Sequence, residues 1–101
     1  MGFHTFKEPA KDALADAGRT FTRAREALDT VNGLGPASLV KSLTVGFQAN
    51  QIIDTVTLLG PLALTLEANP QDYDMKVQVI AYTTLANVQL DYLEMTLQNL
   101  I

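Results

Sequence analysis

The sequence predicts an all-α protein, an elongated helical hairpin or three-helix subunit, and three observations carry that reading. Apolar residues recur at steps of three and four over most of the 101 residues, as they do on a helix with one buried face. Glycine and proline concentrate at two places, which divide the chain into three segments. β-Branched residues do not alternate with polar ones over useful lengths, so strands are the losing reading. Short loops are expected at 32–37 and 68–70, within one helical domain spanning 1–101.

The first helix is predicted over about 9–31. Ala10, Leu14, Ala17, Phe21, Ala24, Leu28 and Val31 step by four and three, the a/d seam of a packed or coiled-coil helix. Lys11, Asp12, Asp16, Arg19, Arg23, Arg25, Glu26 and Asp29 occupy its other faces. Asp16 and Arg19 are placed for an i,i+3 ion pair, whereas Asp12 and Asp16 repel mildly. The alanines allow a neighbouring helix to approach closely. Asn32-Gly33-Leu34-Gly35-Pro36 then reads as a helix stop and turn.

The second helix, 38–68, repeats the pattern with Val45, Ala49, Ile52, Val56, Leu59, Ala63 and Leu66, preceded by a stripe of Leu39, Leu43 and Phe47. Its outer positions carry hydroxyls and amides, and only Lys41, Asp54 and Glu67 ionise. Pro61 removes one backbone bond, so a kink or break is expected near 60–61. Asn69-Pro70 reads as the next helix start, with Asn69 as cap, Pro70 in the first position and Asp72 at the positive end of the dipole.

The third helix, 70–101, carries two apolar stripes. Met75, Val79, Tyr82, Ala86, Leu93, Leu97 and Leu100 form one; Val77, Ala81, Leu85, Val88, Tyr92 and Met95 form the other. A helix apolar on two faces is sandwiched between neighbours, and one of those is expected to be another subunit. Leu100-Ile101 leaves an apolar end that also suits an interface. Threonine runs such as Tyr82-Thr83-Thr84 lower intrinsic helix propensity, so packing must supply the difference.

Composition excludes several function classes. Charged residues make up 18% of the chain against an ordinary value of about 25%. The net charge of −4 argues against a general nucleic-acid binder, which needs a basic face. With no cysteine, disulfides and thiolate metal sites are absent. No run of about 18 apolar residues exists, so no transmembrane span is expected. Residues 1–9 hold no apolar core of signal-peptide length, and the expectation is a cytoplasmic protein or one exported by a signal-independent route.

Catalytic constellations are missing. His4 stands alone, and Glu-x-x-His is lacking, so Asp12/Asp16 does not read as a di-iron site. Asp72/Asp74 reads as dipole stabilisation. Gly33-Leu34-Gly35-Pro36 lacks the third glycine and the strand of a phosphate loop, and Ser38 and Ser42 have no recognisable base. Tyr73, Tyr82 and Tyr92 lie on one helix without interleaved basic residues, and Met75 and Met95 read as packing. Arg19, Arg23 and Arg25 read as a solvated or pore-lining face. No catalytic, cofactor-binding or metal-ligating residue is assigned, no cofactor is expected, and the protein is read as a non-enzyme.

Glu67-Ala68-Asn69-Pro70-Gln71-Asp72, the later Tyr82 and the ending Leu93-Glu94-Met95-Thr96-Leu97-Gln98-Asn99-Leu100-Ile101 resemble the small subunits of type III secretion needles and inner rods. The similarity covers roughly 35 residues and includes no specific motif. The long apolar second segment and the clean heptad of the first depart from that family. Asn50-Gln51-Ile52-Ile53-Asp54-Thr55-Val56-Thr57, followed by Leu59-Gly60-Pro61, resembles the helical proteins that polymerise into R-body ribbons. Both resemblances imply short, weakly charged helical chains that assemble.

The functional expectation is a structural subunit that self-assembles through apolar helices into a filament, tube or ring, of the kind found in secretion or extrusive machines. Its partners would be copies of itself and other assembly subunits. Phe47, Ile52, Val56, Leu59, Tyr82, Tyr92, Met95 and Leu97 are the expected subunit contacts. A helical adaptor or chaperone-like dimer competes, and would stop at a closed pair. A helical carrier of an apolar ligand is a second competitor, enclosing a cavity. A membrane-surface role ranks third, since the first segment is amphipathic but not strongly cationic.

Overall fold

The computed structural model of the protein describes residues 8–33 and 39–99 and contains three helices: α1 (Pro9–Asn32), α2 (Leu39–Ala68) and α3 (Tyr73–Gln98). Two apolar clusters hold them together. Ala24, Ala27 and Val31 of α1 meet Val45, Ala49 and Ile52 of α2 and Leu90 and Leu93 of α3. At the other end Ala10, Ala13 and Ala17 meet Leu59, Ala63, Leu66 and Val79. The end of α1 therefore lies beside the start of α2 and the end of α3, which makes an up-down-up bundle with α1 and α3 parallel. Its radius of gyration is 15.2 Å, against about 13 Å for a compact domain of this length, so the bundle is elongated. His4, Gly35-Pro36 and Leu100-Ile101 lie outside the described residues.

The inner seam of α1 differs from the predicted one. Ala10, Ala17, Ala24 and Val31 are buried as expected, but Ala13, Thr20 and Ala27 complete the seam in place of Leu14, Phe21 and Leu28. Both sets satisfy a three-and-four rhythm; they differ by a small rotation of the helix. Small side chains let α1 close on its neighbours, whereas a Leu/Phe seam would hold it away. Leu14 and Leu28 pack against the clusters from the side, and Phe21 is left 41% exposed.

In α2 the predicted face is buried at Val45, Ala49, Ile52, Leu59, Ala63 and Leu66, with Thr55 in the seam and Val56 beside it. Pro61 does not break the helix, which runs through it to Ala68. Pro61 and Thr57 both lie on the exposed side, where water can satisfy the carbonyl that loses its donor.

The start of α3 is also corrected. Asp72, not Asn69, is the N-cap, its carboxylate accepting the Met75 N–H at 3.0 Å. Asn69 instead closes α2: its backbone N–H and its side-chain amide both donate to the Thr65 carbonyl, at 3.0 and 3.1 Å. Pro70 occupies the second position of a turn closed by Asp72 N–H to Asn69 O at 3.0 Å, a place that its fixed φ suits.

A polar layer separates the two clusters. Thr20, Thr55 and Thr83, one from each helix, are the buried polar residues. Thr20 Oγ1 donates to Asp16 O at 2.8 Å and Thr83 Oγ1 to Val79 O at 2.7 Å. Thr55 Oγ1 reaches across to Gln89 Oε1 at 2.7 Å. Back-bonding to the preceding turn explains how these helices tolerate so much threonine: the hydroxyl is satisfied without leaving its own helix.

Candidate functional site

The helices divide their surface labour unequally. Eight of the 24 residues of α1 ionise, against three of 30 in α2 and four of 26 in α3. The large exposed apolar residues follow the opposite order. Phe21 alone represents α1, whereas α2 exposes Leu39, Val40, Leu43, Phe47, Leu58 and Leu64. On α3 the outward stripe is the second one read from the sequence: Val77, Ala81, Leu85, Val88, Tyr92 and Met95 are all exposed. At 100° per residue this stripe lies opposite the buried Val79, Thr83, Ala86, Leu90 and Leu93. The expected Leu39, Leu43 and Phe47 stripe of α2 is likewise outside, and Ser42, Leu43, Thr44, Gly46, Phe47 and Asn50 line an open groove of about 660 Å³ there.

The eight residues expected at subunit contacts separate into three groups. Phe47, Tyr92 and Met95 are exposed, at 66, 60 and 56%. Val56, Tyr82 and Leu97 are half-buried against the bundle's own clusters. Ile52 and Leu59 are completely buried inside the bundle, where no second chain can touch them unless it opens. Leu85 and Val88 stand on the same exposed α3 stripe as Tyr92 and Met95.

Polar groups tie α1 to α3. Arg23 Nε donates to Glu94 Oε1 at 2.8 Å, its Nη2 reaches the same oxygen at 2.5 Å, and its Nη1 meets Glu26 at 2.8 Å. The hydrogen bonds to Glu26 and Glu94 hold the Arg23 guanidinium above its ordinary pKa. Arg19 donates to Asn87 Oδ1, and the Asn87 amide donates to Asp16 Oδ2 at 3.2 Å and to Thr83 O at 2.9 Å. The predicted Asp16–Arg19 ion pair is present at 3.7 Å. Arg19 and Arg23 thus tie α1 to α3 while keeping much of their side chains in solvent, and Arg25 is exposed.

A second concavity, about 360 Å³, opens at the end of the bundle between Glu8, Lys11, Glu67 and Lys76. Its mixed charge and exposed mouth do not make an enclosed apolar chamber for a carried ligand. Among the described residues no group of acids and histidine is placed to hold a metal ion, and no helix is long and apolar enough to cross a membrane. Comparison of the chain with protein-family models, curated proteins and solved structures finds no match.

Proposed function

We propose that this protein is a structural subunit that associates with copies of itself through the outer faces of α2 and α3, building a filament, tube or ring. The observation that carries the reading is an inverted distribution of apolar side chains. Half of the sixteen buried apolar residues among those described are alanines, whereas Leu43, Phe47, Leu58, Leu85, Val88, Tyr92 and Met95 stand in solvent. A monomer gains most by the reverse arrangement, since burying a Leu or Phe is worth about 1.5–3 kcal/mol and an alanine methyl only about 0.8. Scattered exposed leucines need no explanation; an outer stripe on α3 without a charge from Val77 to Met95, beside a Leu39-Leu43-Phe47 group at the start of α2, does.

The size of these faces suits the role. Taking 1.5 Å per residue and a helix width of about 10 Å, the outer faces of α2 and α3 span roughly 450 and 390 Å², each about half of one partner's share of a standard interface. Two faces on one chain also favour an open assembly over a closed dimer, which would cover one and leave the other wet. α1, with its charges tied to α3 or to water, would form the outer or lumenal wall.

Light scattering with negative-stain microscopy over a concentration series tests the reading. Rods, tubes or large rings are expected. A concentration-independent monomer of 11.0 kDa would refute it and reopen the ligand-carrier alternative.

A further inference from the structure

We propose that the outer stripe of α3 is covered by the same stripe of a second copy, packed antiparallel about a two-fold axis between Leu85 and Val88. This inference rests on the self-association reading and specifies one of its contacts. Three observations point to it.

The first is shape. The stripe runs Val77, Ala81, Leu85, Val88, Tyr92, Met95, all exposed, with one small position and one large. An antiparallel axis midway between Leu85 and Val88 brings Ala81 of each copy opposite Tyr92 of the other. The ring of one then fills the space left by the methyl of its partner, twice by symmetry. Leu85 meets Val88 in the middle, and Val77 lies within about one residue of the level of Met95. The alternating steps of Ala81, Leu85, Val88, Tyr92 and Met95 keep this seam in register along the helix.

The second is charge. No ionisable residue interrupts the stripe from Val77 to Met95; Asp74 precedes it and Asp91 lies beside it, whereas Lys76 and Glu94 lie half-buried toward the bundle. A parallel pair would set Asp91 beside Asp91 and Asp74 beside Asp74. The antiparallel pair separates the two Asp91 side chains by about 13 Å along the axis, taking 1.5 Å per residue, and opposes the helix dipoles favourably. A basic partner segment fits the stripe less well, because the stripe itself offers no carboxylate to bind.

The third is area. One helix face of this length covers about 390 Å² per chain, half of what a stable dimer of standard size needs from each partner. The contact is therefore sized for a repeating lattice, in which the α2 face supplies a second junction, rather than for a free-standing dimer.

The absence of cysteine makes the test direct. Val77→Cys and Met95→Cys are prepared singly, checked for unchanged helicity by circular dichroism, and treated with a short bis-maleimide alone and as an equimolar mixture. The proposal expects cross-linked dimer in the mixture at roughly tenfold the yield of either variant alone, with Leu85→Cys cross-linking to itself. Efficient self-linking of both Val77→Cys and Met95→Cys would mean a parallel pair and overturns the proposal. No cross-link in a mixture that still scatters as large particles overturns this contact while leaving self-association standing. No cross-link and no particles at any concentration overturns both.

Discussion

Ile52 and Tyr92 provide the sharpest separation between what holds the bundle together and what would join it to a second copy under the proposed function. Both lie on apolar helix stripes, yet Ile52 is fully buried in the cluster of α1, α2 and α3, whereas Tyr92 is 60% exposed. Ile52→Ala removes three carbons worth about 0.8 kcal/mol each on transfer, and the residual cavity adds to that, giving about 3.5 kcal/mol within the usual range of 2–5. With a urea m-value of about 1.5 kcal/mol/M, the unfolding midpoint falls by roughly 2 M. Tyr92→Ala loses the buried two-fifths of a ring that covers about 200 Å² when wholly enclosed, an upper limit of about 2 kcal/mol. The better helix propensity of alanine returns about 0.5 kcal/mol of it. Its urea shift at high dilution is therefore less than half that of Ile52→Ala.

Concentration supplies the second axis. Association stabilises the folded subunit by mass action, so the deficit of a contact variant grows as protein concentration rises. The Ile52→Ala deficit stays constant, and Tyr92→Ala is expected to widen from its dilute value while particle mass collapses. Urea titrations followed by circular dichroism at two concentrations a hundredfold apart measure both. If Ile52→Ala kept its midpoint and lost its particles, the residue would belong to an interface, and the packing of α1, α2 and α3 described above would be wrong.

Other variants test individual devices of the bundle. Asp72→Ala removes the carboxylate that accepts the Met75 N–H and should cost about 1 kcal/mol, seen as a melting temperature lower by about 4–8 °C. Thr83→Val removes a hydroxyl that serves only its own helix and should be neutral or slightly stabilising, while Thr55→Val strips Gln89 Oε1 of its donor and should cost about 1 kcal/mol in denaturant unfolding. A Cβ added at Gly18 or Gly60 meets nothing within 4 Å, so Gly18→Ala and Gly60→Ala should each stabilise the subunit by up to about 1 kcal/mol in the same assay.

The sequence discloses the elements of this bundle more readily than their rotation. Long three-and-four periodicity is a strong signal, and three helices divided near 32–37 and 68–70 follow from it and the glycine and proline positions directly. Rotation is harder where two seams share every other residue. Ala10, Ala17, Ala24 and Val31 belong to both candidate seams of α1, and hydrophobicity alone prefers Leu14, Phe21 and Leu28 as their companions. The bundle chooses Ala13, Thr20 and Ala27, because steric fit to two close neighbours outweighs the transfer free energy of three larger side chains. The α3 cap went astray for a related reason. Asn69-Pro70 and Asp72 both offer start signals three residues apart, and only the turn between them decides which one the helix uses. The outward stripe of α3 was legible because a second apolar periodicity cannot be satisfied by the same core. Ile52 and Leu59 are not separable by sequence from exposed stripe residues such as Tyr92, since buried and exposed apolar positions follow the same three-and-four rhythm.

Charge placement would give the proposed assembly a salt dependence opposite in sign to that of an ion-paired interface. Residues 1–33 balance five basic against five acidic groups, so the whole net charge of −4 falls on 39–99, where six acids face two lysines. Those are the residues of α2 and α3, the helices whose outer faces would come together. Only Glu94 among the six is joined to a cation of α1, through Arg23. Bringing copies together along these faces therefore gathers like charge around apolar stripes. The Debye length shrinks from about 30 Å at 0.01 M salt to about 10 Å at 0.1 M, so repulsion between neighbouring subunits fades over that range. Apolar burial does not fade, and it strengthens in sulfate. Particle mass should rise as sodium chloride increases over this range and rise further in sulfate, measured by light scattering at fixed protein concentration. Dissociation by added salt would instead mean that the contacts are ion pairs, and the charged face of α1, rather than the outer stripes of α2 and α3, would then be the surface that joins the copies.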